Sequence, residues 1–281
     1  MVKQVISETL KEALELMQQE DYILVSGGTD LMVQNYSESG IVPDFKRPVM
    51  YLANLEELKQ MKVEKDEIII GAEVTLETIR QSSIIPDILK EIISEMASPG
   101  IRNLGTLSGN IGNASPAGDS LVGLYLLDAV VELESMTGKR LIPIEDYITS
   151  PRKTVRRSDE MIVAVHIPTK APESHHYRKV GPRRANAISK LSFGGAFSHE
   201  NSIISDVRMA FGALAPVVVR DKSFEQNLIG LSKAGIKAKK KAIIDHYRIL
   251  LTPIDDQRST AVYRKKTALA LLAEFIDLIT D

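Results

Sequence analysis

Residues 98–119, S-P-G-I-R-N-L-G-T-L-S-G-N-I-G-N-A-S-P-A-G-D, constrain the fold more than any other stretch of this chain. They hold five Gly, two Pro, three Asn and three Ser, so ordinary helix and strand propensities both fail there. Bulky apolar side chains are confined to Ile101, Leu104, Leu107 and Ile111. The expectation is a long ordered loop, and such a loop inside a domain is usually functional. It needs a substantial core to hold it, and 281 residues, 44% hydrophobic and 26% charged, supply one in one large or two modest domains. A formal net charge of −2 argues against wholesale coating of nucleic acid or an anionic membrane. The chain contains no Cys. Disulfides, thiolate zinc sites, iron–sulfur clusters of its own and a cysteine nucleophile are thereby excluded. Any redox chemistry must come from a bound organic cofactor.

The N-terminal residues mix charge and apolarity without the pattern of a signal peptide. The longest apolar run, Leu121 to Leu133, is interrupted by Asp128 and falls short of the roughly 18–20 residues that span a bilayer. A cytoplasmic protein without membrane insertion is the expectation. Leu10, Ala13, Leu14 and Met17 have helical spacing behind Ser7 or Thr9 as cap. Tyr22 to Val25 reads as a buried strand entering Ser26-Gly27-Gly28, with a short helix after Thr29. Val49 to Leu52, Glu67 to Gly71 and Ala129 to Leu133 read as strands, Thr75 to Gln81 and Ile85 to Met96 as helices. Ser150 to Arg157 reads as an exposed basic connector, Glu160 to Ile167 as a strand and Thr169 to Ser174 as a linker. Beyond it come strand-like runs at Ala187 to Phe197 and Ile203 to Gly212, a Lys-rich helix, and a closing helix from Ala261 to Ile279. No repeat of solenoid or propeller length is visible.

Two glycine segments carry the chemistry. Gly27-Gly28-Thr29-Asp30 after a strand suits either a simple turn or an anion-binding nest of backbone amides. It is neither G-x-G-x-x-G nor a Walker motif, so the common dinucleotide and triphosphate folds are not signalled. Thr106-Leu107-Ser108-Gly109-Asn110 adds hydroxyls, a glycine amide and a carboxamide, and Ser115 and Asp119 add an acceptor and one carboxylate. That set suits a diphosphate beside a polyol or ribose, or a structural loop whose Asn and Ser cap one another. His175-His176 reads as an exposed pair in a linker, and His166, His199 and His246 lack metal-ligand spacing. Lys233 to Lys241 reads as a solvated helix face, and Asp255-Asp256 as helix capping.

Six ordered blocks carry a resemblance. L-V-S-G-G-T-D-L at 24–31, I-R-N-L-G-T-L-S-G-N-I-G-N-A-S-P-A-G-D at 101–119 and L-D-A-V-V-E-L at 127–133 are the first three. Y-R-K-V-G-P-R-R at 177–184, V-R-M-A-F-G-A-L-A-P at 207–216 and T-P-I-D-D-Q-R-S-T-A-V-Y-R at 252–264 are the rest. Together they resemble the FAD-binding, or medium, subunit of the molybdenum hydroxylases, the family of xanthine dehydrogenases and aerobic carbon monoxide dehydrogenase. The resemblance implies an α+β fold. A PCMH/VAO-type FAD-binding domain would span residues 1–170, in subdomains of about 1–54 and 55–170, with a smaller α+β C-terminal domain over 171–281.

It also implies that the amides of Ser26, Gly27, Gly28, Thr29 and Asp30 hold one side of the FAD diphosphate, with Leu24, Val25 and Leu31 in the same motif. Thr106, Gly109 and Asn110 would hold the other side, with Ser108, Asn113 and Ile162 nearby. Asp119, near Ser115, would be the ribose or ribityl contact, and Lys179 the cation at the flavin pyrimidine edge. Ile188, with Asn186, would border the isoalloxazine. Two departures stand out. Ser108 replaces the first Gly of Thr-Leu-Gly-Gly-Asn, implying strain if its φ is positive and a spare hydroxyl if it is negative. Met96 stands where some relatives place an aromatic. The implied role is electron transfer from an iron–sulfur partner to NAD+ or another acceptor, with no catalytic side chain and no metal on this chain. The implied partners are a small [2Fe-2S] subunit and a large molybdopterin subunit, in a heterotrimer that commonly dimerises. The substrate expected on the large subunit is a purine or xanthine-like heterocycle. Two other readings are a free-standing flavin reductase like the enolpyruvyl-UDP-N-acetylglucosamine reductases, and a flavin-free assembly or nucleic-acid-binding module.

Overall fold

A computed structural model describes residues 2–36 and 43–281. They form two compact units, each assembled from separated stretches. The first comprises the described residues up to Ile85, with Ser98–Ala114 and Asp128–Thr169; the second comprises Pro86–Ala97, Ser115–Leu127 and Lys170–Asp281.

In the first unit, β1 (Gln4–Ile6), α1 (Leu10–Gln19) and β2 (Ile23–Val25) lead into α2 (Leu31–Gln34) and β3 (Val49–Tyr51). Strands β1 and β2 flank β3, both parallel to it. The Thr9 hydroxyl accepts from the Glu12 amide and starts α1, whose Ala13, Leu14 and Met17 are buried with Tyr22, Met50 and Leu52. A second sheet has the antiparallel order β4-β5-β10-β6-β7, from β4 (Met61–Glu64), β5 (Glu67–Gly71), β6 (Val130–Ser135), β7 (Gly138–Pro143) and β10 (Met161–Pro168). Met161 and Val163 of β10 join the α1 cluster, so one core serves both sheets. Helices α3 (Leu76–Gln81), α5 (Pro99–Arg102), α6 (Leu107–Asn113) and α8 (Ile144–Tyr147), with the small hairpin β8 (Ile148–Ser150) and β9 (Lys153–Thr154), complete the unit.

The predicted loop over 98–119 is therefore partly helical. Ser98 and Thr106 each cap a helix through the side chain, Pro99 occupies a first-turn position, and Leu107 and Ile111 bury the inner face of α6. Capping and burial override the poor intrinsic propensity of Gly and Asn. The expected basic connector is also structured, as the tight turn joining β8 to β9.

The second unit holds α4 (Asp87–Ser94), α7 (Asp119–Leu126) and the antiparallel sheet of β11 (Ser174–Val180), β12 (Leu191–Glu200) and β13 (Ile203–Gly212). The short α9 (Lys222–Gln226) and the long α10 (Lys233–Leu250) and α11 (Ala261–Thr280) follow. Every residue of α7 is buried, which explains the long apolar run without a membrane. Among the described residues no helix is long and apolar enough to cross one. Gly194 and Gly195 sit side by side on β12 and face opposite ways. A side chain at Gly194 would meet Leu126 and Val122 of α7, and one at Gly195 would meet the Phe275 ring of α11. Phe193, Phe211 and Phe275 pack at ring separations of 5.0 and 5.6 Å beneath α11. Arg208 and Arg220 donate to the carbonyls of Leu126 and Tyr125, giving the buried C-terminus of α7 cationic partners. His175 and His176 belong to β11 instead of an exposed linker: His175 pairs with Glu91 at 3.0 Å, and the His176 ring leans on Phe193.

A Cβ at residue 195 would lie 2.5 Å from the Phe275 ring. Gly195→Ala should therefore lower stability by about 1–3 kcal/mol, seen as a lower urea midpoint. Gly100→Ala, where nothing lies within 4 Å, should leave it unchanged or slightly raised.

Candidate functional site

The two glycine segments meet in the first unit. Strand β2 ends at Val25, and the chain turns through Ser26, Gly27 and Gly28, the last at φ +67°. Gly27 faces the second segment so closely that a Cβ there would lie 1.9 Å from the Leu104 carbonyl oxygen. Only glycine fits. One residue further, a Cβ on Gly105 would come within 3.3 Å of the Thr29 hydroxyl. The Ser26 and Thr106 hydroxyls hydrogen-bond at 2.7 Å across 80 residues of sequence. Thr106 also accepts from the Gly109 amide at 3.0 Å, which starts α6. A Cβ on Gly109 would crowd Thr106 Oγ1 at 2.9 Å and reach Ser26 Cβ at 3.9 Å.

This arrangement leaves a small cradle edged by backbone. Among the described residues, the amides of Gly27, Gly28, Thr29 and Asp30 donate to no protein acceptor. Amides freed in a turn with a left-handed residue form the concave anion site called a nest. Asn110 lies in the first turn of α6, while Asn113 and Asp30 carry side chains at the rim. Ile162 of β10 lies under α6 opposite Gly112 and supports it. Leu24, Val25 and Leu31 flank the first turn.

Ser108 resolves one expectation. It is helical and buried, and its hydroxyl donates to the Ala72 carbonyl while approaching Thr106 Oγ1 at 3.3 Å. There is no left-handed strain, and its one hydroxyl proton is already committed. Next to Ala72 stands a residue that sequence reading missed. Glu73 is held at its amide by the Leu58 carbonyl, and its Oε1 is buried without a hydrogen-bond partner. Burial pushes its carboxyl up to about 7, against the weaker pull of the Ser26 hydroxyl and Lys59. The available signal was a lone carboxylate directly behind the apolar run of β5.

The other predicted residues lie in the second unit. Asp119, at the start of α7, is buried against Lys179 of β11 with 2.7 Å between Oδ2 and Nζ. Lys179 also donates to the Glu95 carbonyl, and the Ser189 hydroxyl donates to Asp119. Burial pushes the Asp119 carboxyl up, against the pull of Lys179 and Ser189. The lone carboxylate of the sequence is thus half of an ion pair. Ser115 accepts from the Ala117 amide at 3.3 Å, Met96 is buried after α4, Asn186 has φ +48°, and Ile188 is exposed.

Two glycine segments interlocked by backbone approach and a hydroxyl hydrogen bond, on an α+β scaffold, define the candidate site. Comparison with known proteins gives the family. Residues 1–170 match the family described as "FAD binding domain in molybdopterin dehydrogenase", and residues 176–279 match "CO dehydrogenase flavoprotein C-terminal domain". The chain belongs to the FAD-binding subunits of the molybdenum hydroxylases, which are oxidoreductase components. It is 32% identical over 226 residues to the xanthine dehydrogenase FAD-binding subunit of Escherichia coli O157:H7, covering 78% of this chain and 76% of that one. It is 30% identical over 239 residues to the nicotinate dehydrogenase FAD-subunit of Eubacterium barkeri, covering 79% and 78%. Reconstituted CO dehydrogenase from Oligotropha carboxidovorans shares the fold at a TM-score of 0.87, with 20% identity over 98% of this chain and 96% of that one. Quinoline 2-oxidoreductase from Pseudomonas putida 86 shares it at 0.86, with 18% identity over 100% and 97%.

The raised Glu73 carboxyl carries a stability prediction. Its folded value of about 7 exceeds the ordinary 4.5, so the folded chain retains a proton that the unfolded chain releases. Its contribution is fully present below pH 4.5 and is lost as pH rises through 7, on the order of 3 kcal/mol in all. Glu73→Gln, permanently neutral, should match the parent's urea midpoint near pH 4 and exceed it by pH 8. A gap that stays constant across that range contradicts the assignment.

Proposed function

We propose that the two-turn cradle holds the diphosphate of FAD, and that the chain is the electron-transfer flavoprotein subunit of a molybdopterin-dependent hydroxylase. The observation that carries this reading is the interlock of the two turns, where Gly27 and Gly109 stand at the points that side chains would fill. The amides of Ser26 to Asp30 serve one side of the diphosphate, and Thr106, Gly109 and Asn110 the other. Glu73 fits beside such an anion because burial favours its neutral form. In the second unit, the reading assigns Lys179 to the flavin pyrimidine edge, Asp119 with Ser115 to the ribityl or ribose, and Ile188 to the ring border. The domains would follow chain order, with FAD binding in 1–170 and the C-terminal domain in 171–281.

Bound flavin supplies the redox chemistry, exchanging electrons singly or as a hydride. The protein's part is to bind, to orient, and to keep a cation where charge collects on reduction. No side chain is assigned as acid, base or nucleophile. Electrons would arrive from [2Fe-2S] centres on a small partner, fed by a molybdopterin-bearing large partner, and leave to NAD+ or another acceptor. The partners are supported by what relatives are called: an FAD-binding subunit, and a medium chain in carbon monoxide dehydrogenase of Hydrogenophaga pseudoflava. A purine or related nitrogen heterocycle as substrate is supported by likeness to the xanthine and nicotinate dehydrogenase subunits.

The test is spectroscopic. The chain, incubated with FAD and freed of excess, should retain one flavin with its yellow absorbance. Gly109→Asp places a carboxylate against Thr106 and the proposed diphosphate and should abolish retention while the chain stays folded. Flavin content equal to the parent's in that variant rejects the cradle.

A further inference from the structure

Arg152 occupies a backbone position that suits glycine. It follows Pro151 in the two-residue turn between β8 and β9, where Ser150 pairs with Lys153, and its φ is +64°. Proline followed by a left-handed residue is the type II turn, whose second central position favours Gly or Asn. An arginine there carries backbone strain, and such strain persists where surrounding structure holds it for a purpose.

Its contacts suggest the purpose. The Arg152 amide donates to the Ala114 carbonyl at 2.9 Å, fixing the turn against the end of α6. From there the guanidinium Nη1 donates to Asn113 Oδ1 and, at 3.2 Å, to Asp30 Oδ2. Gln34 of α2 spans the same two residues, donating to Asp30 Oδ2 and, at 3.0 Å, to Asn113 Oδ1. Asp30 closes the first glycine turn and Asn113 ends the helix that the second one starts. The four side chains thus tie the outer rim of one turn to the outer rim of the other, while the Ser26 to Thr106 hydrogen bond ties them inside. Stability does not account for the arginine. The Asp30 and Arg152 side chains are about half exposed, at 53% and 48%, and exposed ion pairs contribute little.

We infer that Arg152 is a positioning residue that locks the two glycine turns together and so slows the escape of FAD. The inference rests on the FAD reading above. The guanidinium acts through Asp30 and Asn113, two acceptors on different segments that its Nη1 reaches at once.

The experiment uses the full chain with FAD as the probe. It measures FAD affinity and dissociation rate by flavin fluorescence, together with the thermal midpoint of the flavin-free protein. Arg152→Gly removes the lock and relieves the left-handed backbone. It should keep or raise the flavin-free midpoint while FAD leaves about five- to tenfold faster. Arg152→Lys should recover only part of the retention. Asp30→Asn keeps the amide but weakens the tie, and combining it with Arg152→Gly should cost little beyond Arg152→Gly alone. Equal FAD dissociation from Arg152→Gly and the parent overturns the lock. So does a fall in the flavin-free midpoint large enough to account for the lost affinity. A parent chain that takes up no FAD rejects the cradle reading itself, an outcome distinct from either.

Discussion

Gly27 has a carbonyl oxygen where any other residue would have a side chain. Because a Cβ there would lie 1.9 Å from the Leu104 oxygen, the first turn can sit against the second segment only as glycine. Much of the first unit follows from that approach. Ser26 comes within hydrogen-bonding distance of Thr106, and Thr106 is thereby held to cap α6. The backbone of Gly105 accepts from the Leu76 amide, so α3 is anchored to the same place. Ser108 reaches the Ala72 carbonyl at the end of β5. A sheet strand, two helices and two turns are registered against one another by hydroxyl and backbone contacts of small residues. Larger side chains would push these groups beyond hydrogen-bonding range.

The second unit solves a different problem, the burial of a helix on all sides. Helix α7 has no solvated face, so its terminal carbonyls and its first carboxylate need partners within the protein. Arg208 and Arg220 serve the carbonyls, each also held by an acid, Asp206 and Glu225 respectively. Lys179 and Ser189 serve Asp119. Paired glycines on β12 let α7 and α11 close on opposite faces of one strand. The sequence block containing Arg208 therefore has a structural reason that needs no ligand: it stabilises the end of a buried helix whose start carries Asp119.

The long elements were legible because each shows one strong period. Leu10 to Met17 reads as a helix from spacing alone, and α11 runs from Ala261 to Thr280 where apolar periodicity places it. Glu67 to Gly71 and the strand ending at Pro168 are bounded by their own turn residues. The short strands β1, β4 and β7 were missed, since three to six residues of mixed polarity carry little pattern. The helices inside 98–119 were hidden because they exist through capping and packing, against propensity. For the candidate site, the glycine turns and their neighbours were legible as a motif. Glu73 and Arg152 were not. One lies beyond a strand and the other in a hairpin, and only tertiary folding brings them to the turns.

Charge explains why a backbone cradle suits this chain. A diphosphate site built from Lys and Arg would need desolvated cations, each costly unless paired. The amides of the proposed cradle would be fixed dipoles that need no counter-charge. The described cations near the cradle are spoken for: Arg152 by Asp30 and Asn113, Lys59 by Glu56. Glu73 brings an acid to the same place, and burial disfavours its charged form. With no Cys, this chain has no thiolate with which to bind iron, and the redox contribution proposed for it is the positioning of one organic cofactor.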